Sequence, residues 1–431
     1  MNIKSKKMKI LHLVCFPLFG SGSGTFVRKL AEKTAKEFPE DEVAILSVDK
    51  KSTFQGVKIF PLKLPFNVAF TGHPDWKKYK LYSELNQREI NTLYESFRRQ
   101  TIRVVDMFKP DIIHVHHASI FSSIAHYIKA VYGINYVVSV HGTGVLCADQ
   151  DKRWIPLVRP GLESAFYVIP VSSDTKKWML RVFGESYKNK TRVRPGGVDI
   201  EAFPKSGTTE IVDKMYNLDN KDVVIFAGKL TKVKGVEYLL KAAPKIDAKI
   251  FIIGGGEDKK RLEQLAKKLN LKNVVFTGYK GKDSIEEFRQ FYRRASVFVF
   301  PSVWDEPLGL VALEAMSSST PVVASDKGGI SLAVKNGYNG FLIPSKSPEA
   351  ISKKVNILLH DKKLQKKFSQ NARATVESKF SWRLISRKFH EWYVAAHERS
   401  EEYKKNKSLL VDKRQIEEER KDVKKKGLDY I

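Results

Sequence analysis

Two carboxylates in the second half of the chain, Glu306 and Glu314, are spaced so that they could bind the hydroxyl groups of a polyol. Glu306 precedes a Pro-Leu-Gly turn, and Glu314 lies about one and a half turns into a helix predicted to begin near Gly309. The intervening residues are mostly core types, so Glu314 lies in an apolar segment where an unpaired carboxylate is costly. The hydroxyls of a ribose or a hexose would compensate that cost. A structural salt bridge is the open alternative.

Two lysines, Lys229 and Lys234, follow a predicted strand that ends at Gly228, and they precede a predicted helix. This position corresponds to the carboxyl edge of an open α/β sheet, where ligands bind. Ammonium groups there would stabilise a diphosphate that gains charge as it leaves a sugar. A solvated lysine-rich loop is the alternative, because the chain is rich in lysine throughout.

Glycine and serine alternate over residues 20–24, between the first predicted strand and the first predicted helix. Such a loop lets an anion approach the free amide groups at a helix N-terminus, although a tight turn has the same composition. The pattern is not the G-x-G-x-x-G fingerprint of dinucleotide-binding proteins. Asp49 is the nearest acidic residue that could bind a ribose at the end of the second strand.

Two further constellations resemble metal sites. Histidines alternate over His114-Val115-His116-His117, but they end a buried strand without a carboxylate or thiol partner. Asp149-Gln150-Asp151 has the D-x-D form, but it lies in a polar loop and does not follow a hydrophobic strand. We therefore predict no metal site, and we interpret the histidines as structural or as lining a cleft.

Strand-like apolar runs alternate with helical patterns along most of the chain, which predicts parallel α/β domains. The predicted strands are Lys9–Phe16, Val43–Val48, Asp111–His116, Asn135–His141 and Tyr167–Val171, and then Asp222–Gly228, Ala248–Gly254, Asn273–Gly278, Ser296–Phe300 and Pro321–Ala324. The predicted helices include Phe26–Phe38, Val236–Ala243, Lys259–Leu269, Ser284–Arg294 and Gly309–Ser317. The chain therefore divides into two similar halves.

Composition agrees with two domains, since 431 residues exceed one ordinary core. The two cysteines cannot form a disulfide framework, no apolar run reaches the roughly 18 residues of a membrane span, and the N-terminal apolar stretch is better interpreted as a buried strand than as a signal peptide. We therefore predict a cytoplasmic protein.

The net charge of +28 is spread over both halves and favours polyanionic partners. Lys4, Lys6 and Lys7, together with the stretch Trp76-Lys77-Lys78-Tyr79-Lys80, predict peripheral contact with an anionic membrane. A solvated surface is the alternative. Nucleic acid is not expected as a partner, because the sequence carries no recognisable zinc, helix-turn-helix or RNP signature.

The Glu306 and Glu314 spacing, with Gly309 and the Glu-Ala-Met ending, resembles the E-x7-E signature of retaining glycosyltransferases of family 4, which have the GT-B fold. Other segments resemble the family in order. They are the Gly-rich first loop, SVHGT at 139–143, PVSSDT at 170–175, RPGGVD at 194–199, AGKLTKVKG at 227–235, IIGGGED at 252–258, SDKGGISLAVKNGYNGFLI at 325–343 and the closing FSWRLISRKFHEWY at 380–393. The resemblance covers about residues 8–398.

The resemblance implies roles for particular residues. In the donor site, Lys229 and Lys234 would hold the diphosphate beside Gly228, with lysine in place of the commoner arginine, and Glu314 would bind the ribose. Glu306 would contact sugar hydroxyls. The remaining implied contacts are His141 beside the transferred sugar, Gly22 beside the diphosphate, and the backbone amides of Leu308, Gly309 and Leu310 near the sugar and phosphate.

The resemblance also implies the architecture: two Rossmann-like domains facing across a cleft, with a C-terminal helix that crosses back to the N-terminal domain. The expected parts are an acceptor domain at 1–197, a linker at 198–220, a donor domain at 221–378, the returning helix at 379–398 and a charged tail at 399–431.

The implied activity is transfer of a hexosyl unit, with retention of configuration, from a nucleotide-diphosphate sugar to a hydroxyl acceptor such as a glycan, a lipid-linked acceptor or a small molecule. We expect no cofactor beyond that co-substrate and no metal. A Rossmann-type nicotinamide oxidoreductase and a basic nucleic-acid-binding protein are the alternatives. The donor base, the sugar and the acceptor are not determined by the motifs.

Overall fold

The computed structural model describes residues 7–19, 21–49, 56–70, 78–219, 221–306 and 308–405, without the side chains of 282 and 403–405. The chain divides into two compact units. The first comprises Met1–Pro170, Thr175–Val193 and Ser386–Ile431, and the second comprises Val171–Asp174 and Arg194–Ile385. Several residues named above lie outside the described ones: Lys4, Lys6, Gly20, Trp76, Lys77, Pro307 and the tail after Lys405.

The first unit is built on a six-stranded parallel sheet with the order β3-β2-β1-β6-β7-β8. Its strands are β1 Lys9–Leu13, β2 Glu42–Ser47, β3 Val57–Pro61, β6 Ile112–His116, β7 Tyr136–Val140 and β8 Tyr167–Pro170, and a separate pair consists of β4 Val68–Ala69 and β5 Lys80–Leu81. Its helices are α1 Gly22–Glu37, α2 Gln87–Phe108, α3 Ile120–Tyr132, α4 Thr143–Gln150, α5 Trp154–Ser164 and α6 Ser173–Phe183. The inner strands are buried on both sides because helices cover both faces of the sheet.

The second unit repeats this plan with the order β11-β10-β9-β12-β13-β14, again entirely parallel. Its strands are β9 Val223–Ala227, β10 Lys249–Ile253, β11 Val274–Gly278, β12 Val297–Phe300, β13 Val322–Ser325 and β14 Gly340–Ile343. Its helices are α7 Glu210–Tyr216, α8 Val236–Ala242, α9 Lys259–Lys268, α10 Ile285–Arg294, α11 Leu310–Ser317, α12 Pro348–His360 and α13 Lys362–Lys379. Two apolar clusters, one on each face of the sheet, form its core.

All ten strands predicted from the sequence are present, but each sheet has a sixth, edge strand that the prediction missed. In the first unit this is β3, whose residues are exposed or only half-buried, so its sequence lacks a buried apolar run. In the second unit it is β14, which has four residues and begins with glycine. Short edge strands carry a weak pattern because one side has no neighbour to pack against.

Residues 198–220, predicted as a linker, belong to the body of the second unit. Val198, Phe203, Val212 and Leu218 are buried in its core, and α7 lies within this range. The polar composition of the stretch predicted a loop, because four isolated apolar residues form no continuous run. Their burial depends on contacts with residues far along the chain, which spacing alone does not reveal.

The C-terminal helix, α14 at Trp382–Lys405, is longer than the predicted 379–398 and joins the first unit from Ser386 onward. His390 Nε2 lies 2.9 Å from Asp41 Oδ2, and the His390 ring stacks on Phe38 with centroids 3.6 Å apart. Near its end, Ser400 Oγ accepts a hydrogen bond of 3.0 Å from the Asn135 backbone amide. Among the described residues, no helix has the length and apolarity needed to cross a bilayer.

Asp41 anchors two segments of the first unit, which leads to a prediction about stability. Its Oδ1 accepts the Met8 amide at 2.9 Å, while Oδ2 holds His390. Asp41→Ala leaves both buried partners unpaired, so we expect a loss of about 2–4 kcal/mol in the free energy of unfolding of this unit. Urea unfolding measures the loss, and hydrogen exchange over Lys9–Leu13 locates it.

The matched control is Glu185→Ala, which removes only the exposed pair between Glu185 and Lys188. Exposed pairs contribute about 0–1 kcal/mol, so this variant should unfold nearly as the parent does. Equal effects of the two substitutions would contradict the anchoring role of Asp41.

Candidate functional site

In the second sheet the strand order reverses between β9 and β12, and the carboxyl ends of strands at such a reversal are where open α/β sheets bind ligands. The loop after β9 carries Lys229 and Lys234, and the loop after β12 carries Glu306 and leads into α11 with Glu314. The two loops are hydrogen-bonded to each other: the Val303 amide donates to the Val233 carbonyl at 2.9 Å. The structure therefore brings Lys229, Lys234 and Glu306 to the same edge of one sheet, and Glu314 lies in the second turn of the helix that begins there.

The two lysines differ in their surroundings. Lys229 is exposed and forms no ion pair within 4.0 Å among the residues that the structure describes. Lys234 is mostly buried, with 23% of its side chain exposed, and its Nζ pairs with Glu306 Oε1. Gly228, just before Lys229, has φ +150°, a backbone conformation that favours glycine.

Glu306 is held from several directions. Besides Lys234, the Ser302 hydroxyl lies 3.4 Å from Glu306 Oε1. The Glu306 backbone carbonyl accepts the Gly329 amide at 2.6 Å, and a side chain at Gly328 would collide with that carbonyl. With 12% of its side chain exposed, Glu306 keeps limited access to solvent.

The start of α11 offers backbone donors beside these side chains. Gly309 is the N-cap with φ +78°, and the helix begins at Leu310. Amide groups in the first turn of a helix have no helical partner, so those of Leu310 and Val311 can donate to a ligand. Leu308 is 5% exposed and fixes the entry of the chain into the helix through its burial in the core.

Among the residues that the structure describes, the Glu314 side chain has one hydrogen-bond partner, and its pKa is raised. The hydroxyl of the buried Tyr292, on α10, donates to Glu314 Oε2 at 2.8 Å. Burial raises the pKa of Glu314 to about 7, while the Tyr292 hydrogen bond acts in the opposite direction. A carboxylate with so few partners can gain further stabilisation from the hydroxyl groups of a ligand.

Sequence reasoning assigned no role to the neighbouring loops of β10 and β11. Gly254 and Gly256 have φ +146° and +155°, and a side chain at either would collide with the β9 loop, at Gly228 and Leu230 respectively. Directly after β11, Tyr279 is 80% exposed. The glycine run was visible in the sequence as part of a family motif, whereas a single tyrosine after a strand gives no signal until its exposure is known.

In the first unit, Gly22 and His141 also lie at carboxyl ends of parallel strands. Gly22 is the first residue of α1, four residues earlier than predicted, and Ser21 caps the helix by accepting the Gly24 amide at 3.0 Å. His141 follows β7, is 9% exposed, and packs edge-to-face on Phe26 with ring centroids 4.7 Å apart.

Asp49, the residue considered for binding the ribose of a dinucleotide, already accepts hydrogen bonds from the protein itself. Asp49 Oδ2 accepts the Leu18 amide at 2.8 Å and the Ser47 hydroxyl at 2.9 Å. These bonds tie Asp49 to the chain segment after β1 and reduce its capacity to bind a ribose.

The D-x-D aspartates contact cations of the chain itself. Hydrogen bonds from Lys152 and Trp178 lower the pKa of Asp149, and contact with Arg153 lowers that of Asp151. Asp149 lies in α4 and Asp151 is its C-cap, whereas the sequence predicted a polar loop for both.

Two protein families match the chain over consecutive ranges. The family described as "Glycosyltransferase Family 4" matches residues 21–202, and "Glycosyl transferases group 1" matches residues 208–375. An uncharacterised glycosyltransferase of Methanocaldococcus jannaschii is 31% identical over 313 residues, which cover 68% of this chain and 78% of that protein.

Solved structures match the fold over nearly the whole chain. Sucrose-phosphate synthase from Thermosynechococcus elongatus has a TM-score of 0.72 at 21% identity, covering 90% of this chain and 99% of that one. HepE from Anabaena, solved with UDP and also with UDP-glucose, has a TM-score of 0.71 for the UDP complex at 18% identity, covering 90% and 100%. These similarities confirm the GT-B fold, and the chain belongs to the group 1 glycosyltransferases of family 4.

Proposed function

We propose that the chain transfers a hexosyl unit from a nucleotide-diphosphate sugar to a hydroxyl acceptor with retention of configuration. The observation that carries the proposal is the crevice of the second unit, where Lys229, Lys234 and Glu306 lie at the strand-order reversal with the N-terminus of α11. UDP and UDP-glucose in the HepE structures support a nucleotide-sugar donor. The base and the sugar remain open.

The ammonium groups of Lys229 and Lys234 would bind the diphosphate of the donor. An ammonium group has three N–H donors, so Lys234 can keep its bond to Glu306 and still donate to a phosphate oxygen. Lys229 has no carboxylate within ion-pair distance in the described part of the chain, so all of its donors are available. Since Lys lacks the bidentate fork of Arg, the two would act as separate point charges.

Glu314 and Tyr279 suit the nucleoside part of the donor. We assign the ribose hydroxyls to Glu314, whose burial leaves it in need of donors. The exposed ring of Tyr279, beyond the glycine loop at the end of β10, offers a surface on which a base can stack. Glu306, with Leu308, Gly309 and Leu310, would contact the sugar and phosphate as the family resemblance implies.

In the proposed reaction, the bond between the anomeric carbon and the phosphate oxygen breaks, and the acceptor oxygen bonds to that carbon on the same face. The acceptor proton passes to the departing phosphate oxygen. Lys229 and Lys234 stabilise the growing negative charge of the diphosphate, which is the main catalytic contribution of the chain. His141 keeps the role that the resemblance implies, as a group beside the transferred sugar.

Contact with an anionic membrane stays a prediction from the sequence. Two of the basic residues on which this prediction rests form ion pairs: Lys7 pairs with Glu42 at 2.8 Å, and Lys80 pairs with Glu89 at 2.6 Å. Each pair reduces the positive charge that would face a lipid head group. Lys78 is exposed and Tyr79 is half-buried, whereas Lys4, Lys6, Trp76 and Lys77 lie outside the described residues.

The site assignment predicts that Glu314→Gln and Lys234→Ala each lower transfer by about 10²–10³-fold while the chain stays folded. The reason is that each removes a charge that stabilises the bound donor or the transition state, worth roughly 3–4 kcal/mol. Initial rates with a panel of UDP-, GDP- and ADP-sugars measure the loss, and circular dichroism monitors folding.

Matched controls are Glu349→Gln and Lys267→Ala, which change exposed residues of the same types in the same unit. Both controls should transfer sugar at the parental rate. Parental rates in well-folded Glu314→Gln and Lys234→Ala variants would contradict the site.

The acidity of Glu314 predicts a pH dependence. Because its pKa is raised to about 7, the carboxylate forms as pH rises through 7 and is lost below it. We expect kcat/KM for the donor to fall by up to about ten-fold per pH unit below pH 7. Glu314→Gln should lack this limb, since its amide does not titrate, and the same limb in the variant would assign the titration to another group.

The cations of the site predict turnover without a divalent metal. Lys229 and Lys234 can neutralise the diphosphate, and Asp149 and Asp151 are paired with basic side chains of the chain itself. Activity after EDTA treatment and desalting should equal the untreated rate. A loss that Mg²⁺ or Mn²⁺ restores would show that the prediction is wrong.

A further inference from the structure

Buried histidines form a hydrogen-bonded chain in the first unit that ends at His141. His12 Nδ1, on β1, lies 3.0 Å from His116 Nε2, on β6. The other nitrogen of that ring, His116 Nδ1, lies 3.3 Å from His141 Nε2. His12 and His116 are completely buried, and His141 is 9% exposed. The chain therefore runs from the interior of the sheet to its carboxyl edge.

The three rings are neutral at physiological pH. Burial lowers the pKa of His12 and His141 to about 3 and that of His116 well below its ordinary value. A neutral imidazole carries one N–H donor and one bare nitrogen acceptor. Which nitrogen is protonated is then set by the hydrogen bonds of the ring.

This connectivity couples the three tautomers. If His116 carries its proton on Nδ1, it donates to His141 Nε2 and must accept from His12 Nδ1. If it carries the proton on Nε2, both bonds reverse. All three rings are therefore protonated on Nδ1, or all three on Nε2.

The two ends of the chain distinguish these states. His12 Nε2 is buried and has no hydrogen-bond partner among the described residues. The Nε2 state would leave an N–H donor orphaned at that position, and orphaned buried N–H groups are rare in proteins. The Nδ1 state leaves only a bare nitrogen there and moves the third N–H to His141 Nδ1, at the accessible end of the chain.

We propose that His116 is a positioning residue that holds His141 as its Nδ1–H tautomer, that the buried end of the hydrogen-bonded row at His12 sets the direction of these bonds, and that the His141 Nδ1–H donates to an oxygen of the sugar substrate. The inference rests on the proposed function for the role of His141 but not for its tautomer. The ring is braced on two sides, by Phe26 and by His117, whose centroid lies 4.8 Å from that of His141. These two rings hold the orientation of the His141 imidazole, and the hydrogen bonds among the histidines determine which of its nitrogens is protonated.

A metal ion is the other occupant that this cluster suggests, since ligand nitrogens of His12, His114 and His116 lie within 4.8 Å of one another. Both nitrogens of His114 are already hydrogen-bonded, to Tyr393 Oη at 2.7 Å and to Ser139 Oγ at 2.8 Å. A zinc ion on these three rings would also need a fourth ligand, and among the described residues no carboxylate or thiol groups with them. The hydrogen-bonded chain satisfies more of these nitrogens.

Long-range ¹H–¹⁵N correlation spectra of the full chain with ¹⁵N-labelled histidine test the proposal at pH 7.5, without ligand. His12→Leu, His116→Leu and His141→Gln assign the signals. We expect a protonated Nδ1 and a bare Nε2 on all three rings. Protonation of His141 at Nε2, exchange between its tautomers, or stoichiometric zinc by elemental analysis would overturn the proposal.

The variants separate positioning from packing. In His116→Leu, His141 loses its constraint, so its nitrogen shifts should move toward a tautomer average and kcat should fall by about ten-fold at unchanged donor KM. In His12→Leu, His116 Nε2 becomes the buried bare nitrogen, so the His141 tautomer should persist. Loss of the Nδ1–H form in His12→Leu, or its persistence in His116→Leu, contradicts the coupling.

Activity distinguishes this inference from the proposed function. If His141→Gln transfers sugar at the parental rate while the parent shows the Nδ1–H form, the catalytic role of His141 is wrong and the tautomer assignment stands. If His116→Leu does not fold, the spectra of the parent and of His12→Leu decide the matter alone.

Discussion

The reversal of strand order within a parallel sheet is the constraint on which both halves of this protein depend. Adjacent central strands, β9 and β12, send their chains in opposite directions, so neither loop covers the carboxyl edge between them. Backbone amides and side chains of both loops remain accessible there. On the other side of β9, the loops after β9 and β10 can approach closely because Gly228 and Gly254 adopt backbone conformations that other residues rarely take, and a side chain at Gly254 would collide with Gly228.

Electrostatics then gives this edge its chemistry. The chain carries a net charge of +28, yet the charges at the site are few and individually placed. Lys234 pairs with Glu306, which keeps both charges satisfied and holds them in position. In the described part of the chain, Glu314 instead has only the neutral Tyr292 hydroxyl as a hydrogen-bond partner, and burial raises its pKa. A donor that brings hydroxyl groups would supply what Glu314 lacks.

The two units have the same strand order, but the side chains at the carboxyl edges of their sheets differ in charge. In the second unit the carboxyl edge carries the charged side chains of Lys229, Lys234 and Glu306, which suits the proposed diphosphate donor. In the first, the corresponding reversal between β1 and β6 is lined by imidazoles that burial keeps neutral. A neutral imidazole can hold its proton on one defined nitrogen without carrying a net charge, which suits hydrogen bonding to the hydroxyl groups of a substrate. We therefore regard His12 and His116 as part of the functional design of this unit as well as of its core.

The local sequence pattern was enough to predict the ten main strands and the family of this protein. Continuous apolar runs located the ten main strands, because a strand buried on both faces needs apolar residues throughout. The motif around Glu306 and Glu314 indicated the family because its residues are close in sequence. Tertiary structure alone revealed the edge strands β3 and β14, the burial of residues 198–220, the support of Glu314 by Tyr292, and the link from His12 to His116. Each of these depends on residues distant in the chain, and spacing within one segment carries no information about which distant groups will meet.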